Sequence, residues 1–371
     1  MSRAIELTYH PLAVGGYLAQ ITLNAPEKCN ALCDEMIGAL DGVLNELAQD
    51  EEAVAVLLDS SGGKSFCAGA DARQLQTLAL SGADNGSQID DFFASSYRLL
   101  YQLHHFPKPV ICWASGVVMN LGLGLLAAAS HRIATPSSAL AMPEITIGFY
   151  PDAGATWFMQ QMPGHSGLFC ALTGVKLNAG DALYSGLADY FLADARKQPL
   201  IQQLTRLDWQ FDAAEDAEML TAALTDFEVE SNTRLPQSHL KIRADLIESL
   251  CEDCSPAAVE NAFAGLHGDD PWLNGAGRSF AAGSASTACL VLEQYQRGAG
   301  LALADALKLE MVVSANRARD LEFIEGVRAR LFDKDNRPQW AFSQLREVPQ
   351  SLVLDLFSPP WAVHPLADLG V

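Results

Sequence analysis

Apolar residues along this chain fall into two rhythms. In the first half, short apolar runs alternate with stretches of helical spacing. "YLAQITLN" (17–24), "AVAVLLDS" (53–60) and "PVICWAS" (109–115) read as strands. Between the first two, "ALCDEMIGALDGVLNELAQD" repeats its apolar positions at helical intervals. "ALAMPEITIG" (139–148) reads as a further short strand, and "NLGLGLLAAAS" (120–130) as a buried core helix that stops at Ser130-His131-Arg132. This strand-helix-strand order predicts an α/β domain.

After about residue 195 helical spacing takes over. "PLIQQLTRLDWQ", "HLKIRADLIESLC", "SPAAVENAFAGLH", "ASTACLVLEQYQRG" and "LALADALKLEMVVSANRA" all carry it, and the next strand-like run is "GVRARLFD". The expected organisation is an α/β core over 1–195 and a helical region over 196–371, which completes the pocket and offers surface for contacts in a homo-oligomer. No internal repeat or low-complexity linker interrupts either part.

Composition narrows the function classes. The net charge of -21, from 24 Lys and Arg against 45 Asp and Glu, disfavours a nucleic-acid partner, whose phosphates would be repelled. A phosphorylated small molecule stays allowed, since a few local cations suffice. No apolar run reaches the roughly 20 residues of a membrane span, and "MSRAIELTYH" has no signal-like stretch, so a cytoplasmic location with no membrane partner is expected. The eight cysteines are scattered, and the CxxC of Cys251 and Cys254 lacks a second pair or a histidine cluster. Neither a disulfide framework nor a metal site is expected.

Three segments carry candidate chemistry. In "GGKSFCAGADARQL" (62–75) a strand meets a glycine turn, with Asp71 placed to start a helix and the backbone N–H near Ala70 free to face a pocket. In "SGVVMNLGLGLLAAAS" (115–130) small residues open an apolar helix. The N–H groups of its first turn lack intrahelical acceptors and suit a developing oxyanion. In "AMPEITIGFYPDAGATWF" (141–158) the carboxylates Glu144 and Asp152 interrupt an apolar run. Their plain roles are a solvated loop acid for Glu144 and the N-cap of a helix beginning at Ala153 for Asp152; the alternative is a working pair aimed into a pocket.

"NAPEKCNAL" (24–32), "SFCAGAD" (65–71), "SGVVMNLGLGL" (115–125) and "MPEITIGFYPDAG" (142–154) together resemble the crotonase (enoyl-CoA hydratase/isomerase) superfamily, in order and spacing. "PExxIGxxPD" and "FIEGVRARLFDKDNRPQW" (323–340) are most similar to its 3-hydroxyisobutyryl-CoA hydrolase branch. The resemblance implies a spiral of ββα turns with a helical C-terminal region, and an acyl-CoA thioester as substrate. CoA would enter as part of that substrate, with no separate cofactor. It makes Glu144 the central catalytic carboxylate, as base or nucleophile, and Asp152 its partner. The thioester carbonyl would lie between the N–H groups of Ala70 and Leu121, and Lys28 and Arg73 would meet the CoA moiety.

Hydratases of the superfamily commonly place a first glutamate after the glycine run of the central helix, where this chain has Gly124. The resemblance therefore favours thioester hydrolysis in valine breakdown over hydration or isomerisation. A catalytically degenerate acyl-CoA binder is the third reading. Three departures bear on it: Asn120-Leu121-Gly122 replaces a glycine triplet, Ala94, Ser95 and Ser96 stand where the hydrolases commonly carry acids, and Ser284-Ala285 replaces a serine-proline pair. In the hydrolytic reading Ser95 and Ser96 would accept a hydrogen bond from the acyl hydroxyl.

Overall fold

The computed structural model describes residues 4–81, 86–231, 233–266 and 268–371. Its backbone contacts divide the chain into two compact units, each assembled from separated stretches. The first comprises 1–70, 99–140 and 177–238, the second 71–98, 141–176 and 239–371. Residue 195 lies within the first unit.

Nine strands are present among the described residues: β1 Ile5–Pro11, β2 Tyr17–Leu23, β3 Ala53–Ser60, β4 Ser65–Cys67, β5 Val110–Ala114, β6 Val117–Met119, β7 His131–Ala134, β8 Ala139–Ala141 and β9 Tyr190–Phe191. Six form one sheet in the order β1-β2-β3-β5-β7-β9, and three form a second in the order β4-β6-β8. β1 and β2 pair antiparallel, while β2–β3, β3–β5, β5–β7 and β7–β9 pair parallel. Successive strands thus alternate between the sheets, β3 then β4, β5 then β6, β7 then β8. With the helices that intervene, this is the expected ββα spiral.

Every residue of β3 is buried, which explains why its sequence reads as an unbroken apolar run. The pleat sends neighbours to opposite faces. Ala55 and Leu57 join Leu18, Ile111, Trp113 and Ile133 against the helices Lys197–Leu204 and Ala213–Ser231, through Leu200, Leu204, Leu220 and Leu224. Val56 and Leu58 face Leu40 and Leu44 of the helix Asp34–Gln49, whose buried positions recur at the predicted spacing.

The second unit is helical: its helices include Ser166–Thr173, Ala285–Gly298, Leu303–Arg317 and Leu321–Val327. Three expectations need correction. The strand read over 139–148 ends at Ala141, and a 3-10 helix, Glu144–Ile147, follows it. The strand read in "GVRARLFD" is the end of the helix Leu321–Val327 and a π-helical turn, Arg328–Phe332. Glu322, Phe323, Gly326 and Val327 are buried in the helix and Ala329 in the turn, a helical spacing, although Val327, Ala329 and Leu331 alternate like a strand. Asp152 is not a helix N-cap: the helix after it runs Ala155–Phe158, with Gly154 as its cap at φ 86°. Asp71 does cap the helix Ala72–Leu80, accepting from the N–H groups of Arg73 and Gln74.

Candidate active site

The backbone donors belong to the first unit. Ala70 follows β4 and bridges Leu32. The turn is tied to the loop around Lys28, because Ala68 N–H donates to Cys29 O and Asn30 Nδ2 donates to Ser65 O. Lys28 itself sits exposed on the 3-10 turn Pro26–Lys28. Leu121 is the first residue of the helix Leu121–Ala128, so its N–H has no acceptor within that helix. All eight residues of this helix are buried, Gly124 among them.

Asn120, just before it, holds a backbone conformation of φ 48° and ψ -122°, which a side chain rarely adopts. Its Oδ1 accepts the Ala70 N–H at 3.1 Å. One expected oxyanion donor is therefore engaged by the side chain that departs from the glycine triplet. Gly122 keeps its place for a steric reason: a Cβ there would come within 2.5 Å of the Cys67 carbonyl oxygen.

Both carboxylates belong to the second unit. Glu144 opens the 3-10 helix and is only 2% exposed, so the solvated-acid reading does not hold. Burying a carboxyl this far requires supporting structure, and the turn behind Glu144 is pinned from several sides. Phe149 N–H donates to Glu144 O, Ser284 N–H donates to Ile145 O, and Arg317 Nε donates to Gly148 O at 2.8 Å. Gly148 has φ 67°, and a Cβ on it would lie 2.3 Å from Glu322 O. Gly148→Ala is therefore expected to destabilise the fold by about 3 kcal/mol or more, because strain and a backbone clash combine. Chemical denaturation measures this; a loss under 1 kcal/mol would show that the turn relaxes freely.

Asp152 is 6% exposed. Tyr97 Oη lies 2.6 Å from its Oδ2 and 2.7 Å from Ser314 Oγ. Behind the turn, both carboxylate oxygens of Glu310 are occupied: Oε2 accepts Gly154 N–H at 2.7 Å and Oε1 accepts Thr156 N–H at 2.8 Å. Burial, followed by the charge of Asp152, pushes the Glu310 carboxyl up to about 8, against the pull of those two N–H groups. Burial first, then the charge of Asp152, holds the Tyr97 phenol well above its ordinary value.

The other expected residues have contacts of their own. Ser95 is exposed, and the buried Ser96 hydroxyl donates to Phe92 O of its own helix, Gly86–His104. The residue of that helix that reaches Asp152 is the next one, Tyr97. Arg73 is exposed, donates through Nη2 to Leu331 O and stands 5.8 Å over the Phe332 ring. Ser284 caps the helix Ala285–Gly298 and its hydroxyl donates to Glu322 Oε2. Tyr97, Tyr150, Glu310, Ser314, Arg317 and Glu322 were not singled out from sequence. Among the described residues no group of three or more His, Cys, Asp or Glu side chains is placed to hold a metal ion, and no helix is long and apolar enough to cross a membrane.

Comparison with known proteins yields four findings. The family model described as enoyl-CoA hydratase/isomerase matches residues 18–357. A relative from Homo sapiens, described as 3-hydroxyisobutyryl-CoA hydrolase, mitochondrial, is 31% identical over 346 residues, covering 90% of this chain and 84% of its own. The small ribosomal subunit protein mS47 of Arabidopsis thaliana is 30% identical over 347 residues, covering 91% and 81%. Among solved structures, an enoyl-CoA hydratase from Rhodobacter sphaeroides superposes with a TM-score of 0.82 at 29% identity, covering 95% of this chain and 97% of that one.

Proposed function

Because the chain belongs to the enoyl-CoA hydratase/isomerase family, we propose that it hydrolyses a short branched 3-hydroxyacyl-CoA thioester, 3-hydroxyisobutyryl-CoA of valine breakdown being the leading candidate. The observation that carries hydrolysis over hydration is Gly124. It occupies a fully buried helix position where a hydratase would present its first glutamate, and it offers no group to activate water. Glu144 and Asp152, both buried, remain as the working carboxyls. Glu144 acts on water as a base or on the acyl carbon as a nucleophile. The Leu121 and Ala70 N–H groups receive the oxyanion, Asp152 handles a proton, Ser95 and Ser96 meet the acyl hydroxyl, and Lys28 and Arg73 meet CoA.

One observation favours a second reading, an acyl-CoA binder with weak or lost catalysis: the Ala70 N–H is already taken by Asn120 Oδ1. The ribosomal description of one relative is consistent with non-catalytic use of such a chain. A panel of acyl-CoAs assayed for free thiol, beside hydration of crotonyl-CoA, separates the readings. Thiol release supports hydrolysis, hydration overturns it, and binding without turnover supports the second reading.

Asn120→Gly is the accompanying test. Glycine accepts the Asn120 backbone angles without strain and leaves the Ala70 N–H to the substrate. One oxyanion donor is worth up to about 10²–10³ in kcat, so thioester cleavage is expected to rise at least severalfold with the fold intact. An unchanged kcat would remove Ala70 from the oxyanion site.

A further inference from the structure

Five oxygen atoms run in file through the interior of the second unit. Asp152 Oδ2 lies 2.6 Å from Tyr97 Oη, Tyr97 Oη 2.7 Å from Ser314 Oγ, Ser314 Oγ 2.8 Å from Tyr150 Oη, and Tyr150 Oη 2.9 Å from the Glu310 main-chain oxygen. Tyr97, Tyr150 and Ser314 are fully buried. All four separations are those of O–H···O hydrogen bonds, and each requires one hydrogen between its oxygens. The three neutral hydroxyls bring three, and the Glu310 carbonyl brings none. The remaining hydrogen has one source within the file, the Asp152 carboxyl.

We infer that Asp152 is protonated in the resting protein, its O–H donating to Tyr97, so that Tyr97 donates to Ser314, Ser314 to Tyr150 and Tyr150 to the Glu310 carbonyl. Loss of the Asp152 proton turns all three hydroxyls about. Tyr150 then donates to Ser314, Ser314 to Tyr97 and Tyr97 to the carboxylate, and the contact with the Glu310 carbonyl is given up. The file has two ordered states that differ by one proton.

The charge distribution agrees with this. Burial, then the charge of Asp152, pushes the Glu310 carboxyl up to about 8, so the two buried carboxyls do not both ionise readily near neutrality. Titratable groups within the unit that feel the charge of Asp152 include Tyr97 on the helix Gly86–His104, Tyr150 on the preceding loop and Glu310 on the helix Leu303–Arg317. Burial holds both phenols far above neutrality, so neither ionises as Asp152 does. A protonated Asp152 also relieves the push that its charge exerts on Glu310.

Use of this proton in catalysis rests on the hydrolase reading. As the C–S bond breaks, its electron pair stays on sulfur, and the Asp152 O–H proton passes to sulfur to release the thiol. The Tyr97 hydroxyl turns to the carboxylate thus formed. The water consumed supplies oxygen to the acyl carbon; one of its hydrogens reprotonates Asp152 and the other leaves with the carboxylic acid product.

Infrared difference spectroscopy of the ligand-free full chain, wild type minus Asp152→Asn at neutral pH, reads the proton directly. A carboxylic-acid C=O band assigned to Asp152 is expected. Ser314→Ala provides the decisive comparison. Without Ser314, Tyr97 satisfies an ionised Asp152 and Tyr150 satisfies the Glu310 carbonyl, so no fourth hydrogen is needed. Asp152 should then lose about tenfold in proton affinity, the scale of one unmade buried hydrogen bond, with the band's midpoint moving to lower pH and circular dichroism unchanged. Absence of the band in the wild type, or a midpoint unmoved in Ser314→Ala, overturns the inference. Because no substrate is present, this failure is distinct from an absence of thiol release, which would count against the hydrolase reading alone.

Discussion

Glu144→Gln is expected to lower thioester cleavage by about 10²–10⁴-fold, the usual worth of a positioned general base, while the acyl-CoA still binds. Gln matches the shape of Glu, and the hydrogen bonds that shape the turn run through the backbone. Glu144 O accepts from Phe149 and Ser284 donates to Ile145 O whatever side chain stands at 144. The loss should therefore fall on kcat and spare KM, with thermal stability equal to or above that of the wild type, since a neutral amide is cheaper to bury than a carboxylate. If Glu144 is the nucleophile, trapping of an acyl-enzyme disappears in the same variant. Free-thiol assay and isothermal titration with CoA give both quantities. Near-normal turnover in Glu144→Gln would leave Glu144 as a structural acid and remove it from the role of base or nucleophile.

The sequence made the sheet legible where burial on both faces wrote itself as unbroken apolar runs, as in β3, or where alternation was clean, as in β2. It misled where two periods coincide. Val327, Ala329 and Leu331 alternate like a strand, but Phe323, Gly326 and Val327 set the helical phase that packing follows, with Gly326 directly against Ile147. Asp152 looked like a cap because Asp is a good one. The chain instead takes Ala153 and Gly154 through positive φ, and Asp152 turns inward to Tyr97. The carboxylates were visible as charges in an apolar run. Their partners were not, since Tyr97 and Ser314 lie 217 residues apart and no local pattern announces their contact. A usable clue did exist. The helix Leu303–Arg317 turns Asp305, Lys308 and Asn316 to one side and buries the other, Leu303, Leu307, Met311 and Val313 included, and helical spacing puts 310, 314 and 317 on the buried side.

Arg317→Ala is expected to cost about 3–5 kcal/mol of stability, the range for breaking a buried ion pair from one side. The guanidinium is fully buried and uses its whole fork: Nε donates to Gly148 O, Nη1 to Asp320 at 3.1 Å, and Nη2 to Ser286 Oγ at 2.9 Å and Thr287 Oγ1 at 2.8 Å. Burial lowers its proton affinity, while Asp320 and Glu322 raise it. Removing it strands the Gly148 carbonyl and leaves Glu322, 7% exposed, without the cation 3.9 Å away. Against a typical total of about 5–15 kcal/mol, that loss leaves the protein marginal at physiological temperature. Arg317→Lys should recover only part of it, because one ammonium has three donors and cannot span a carbonyl, two hydroxyls and a carboxylate. Activity should respond separately, since Gly148 closes the turn that begins at Glu144. At a temperature where Arg317→Lys remains folded, kcat is expected to fall at least tenfold, with loss of the Gly148 contact shifting the Glu144 turn. Urea denaturation and steady-state kinetics on the lysine variant test both parts. Stability within 1 kcal/mol of wild type would show the ion pair to be dispensable, and unchanged kcat would show that the Glu144 turn holds itself.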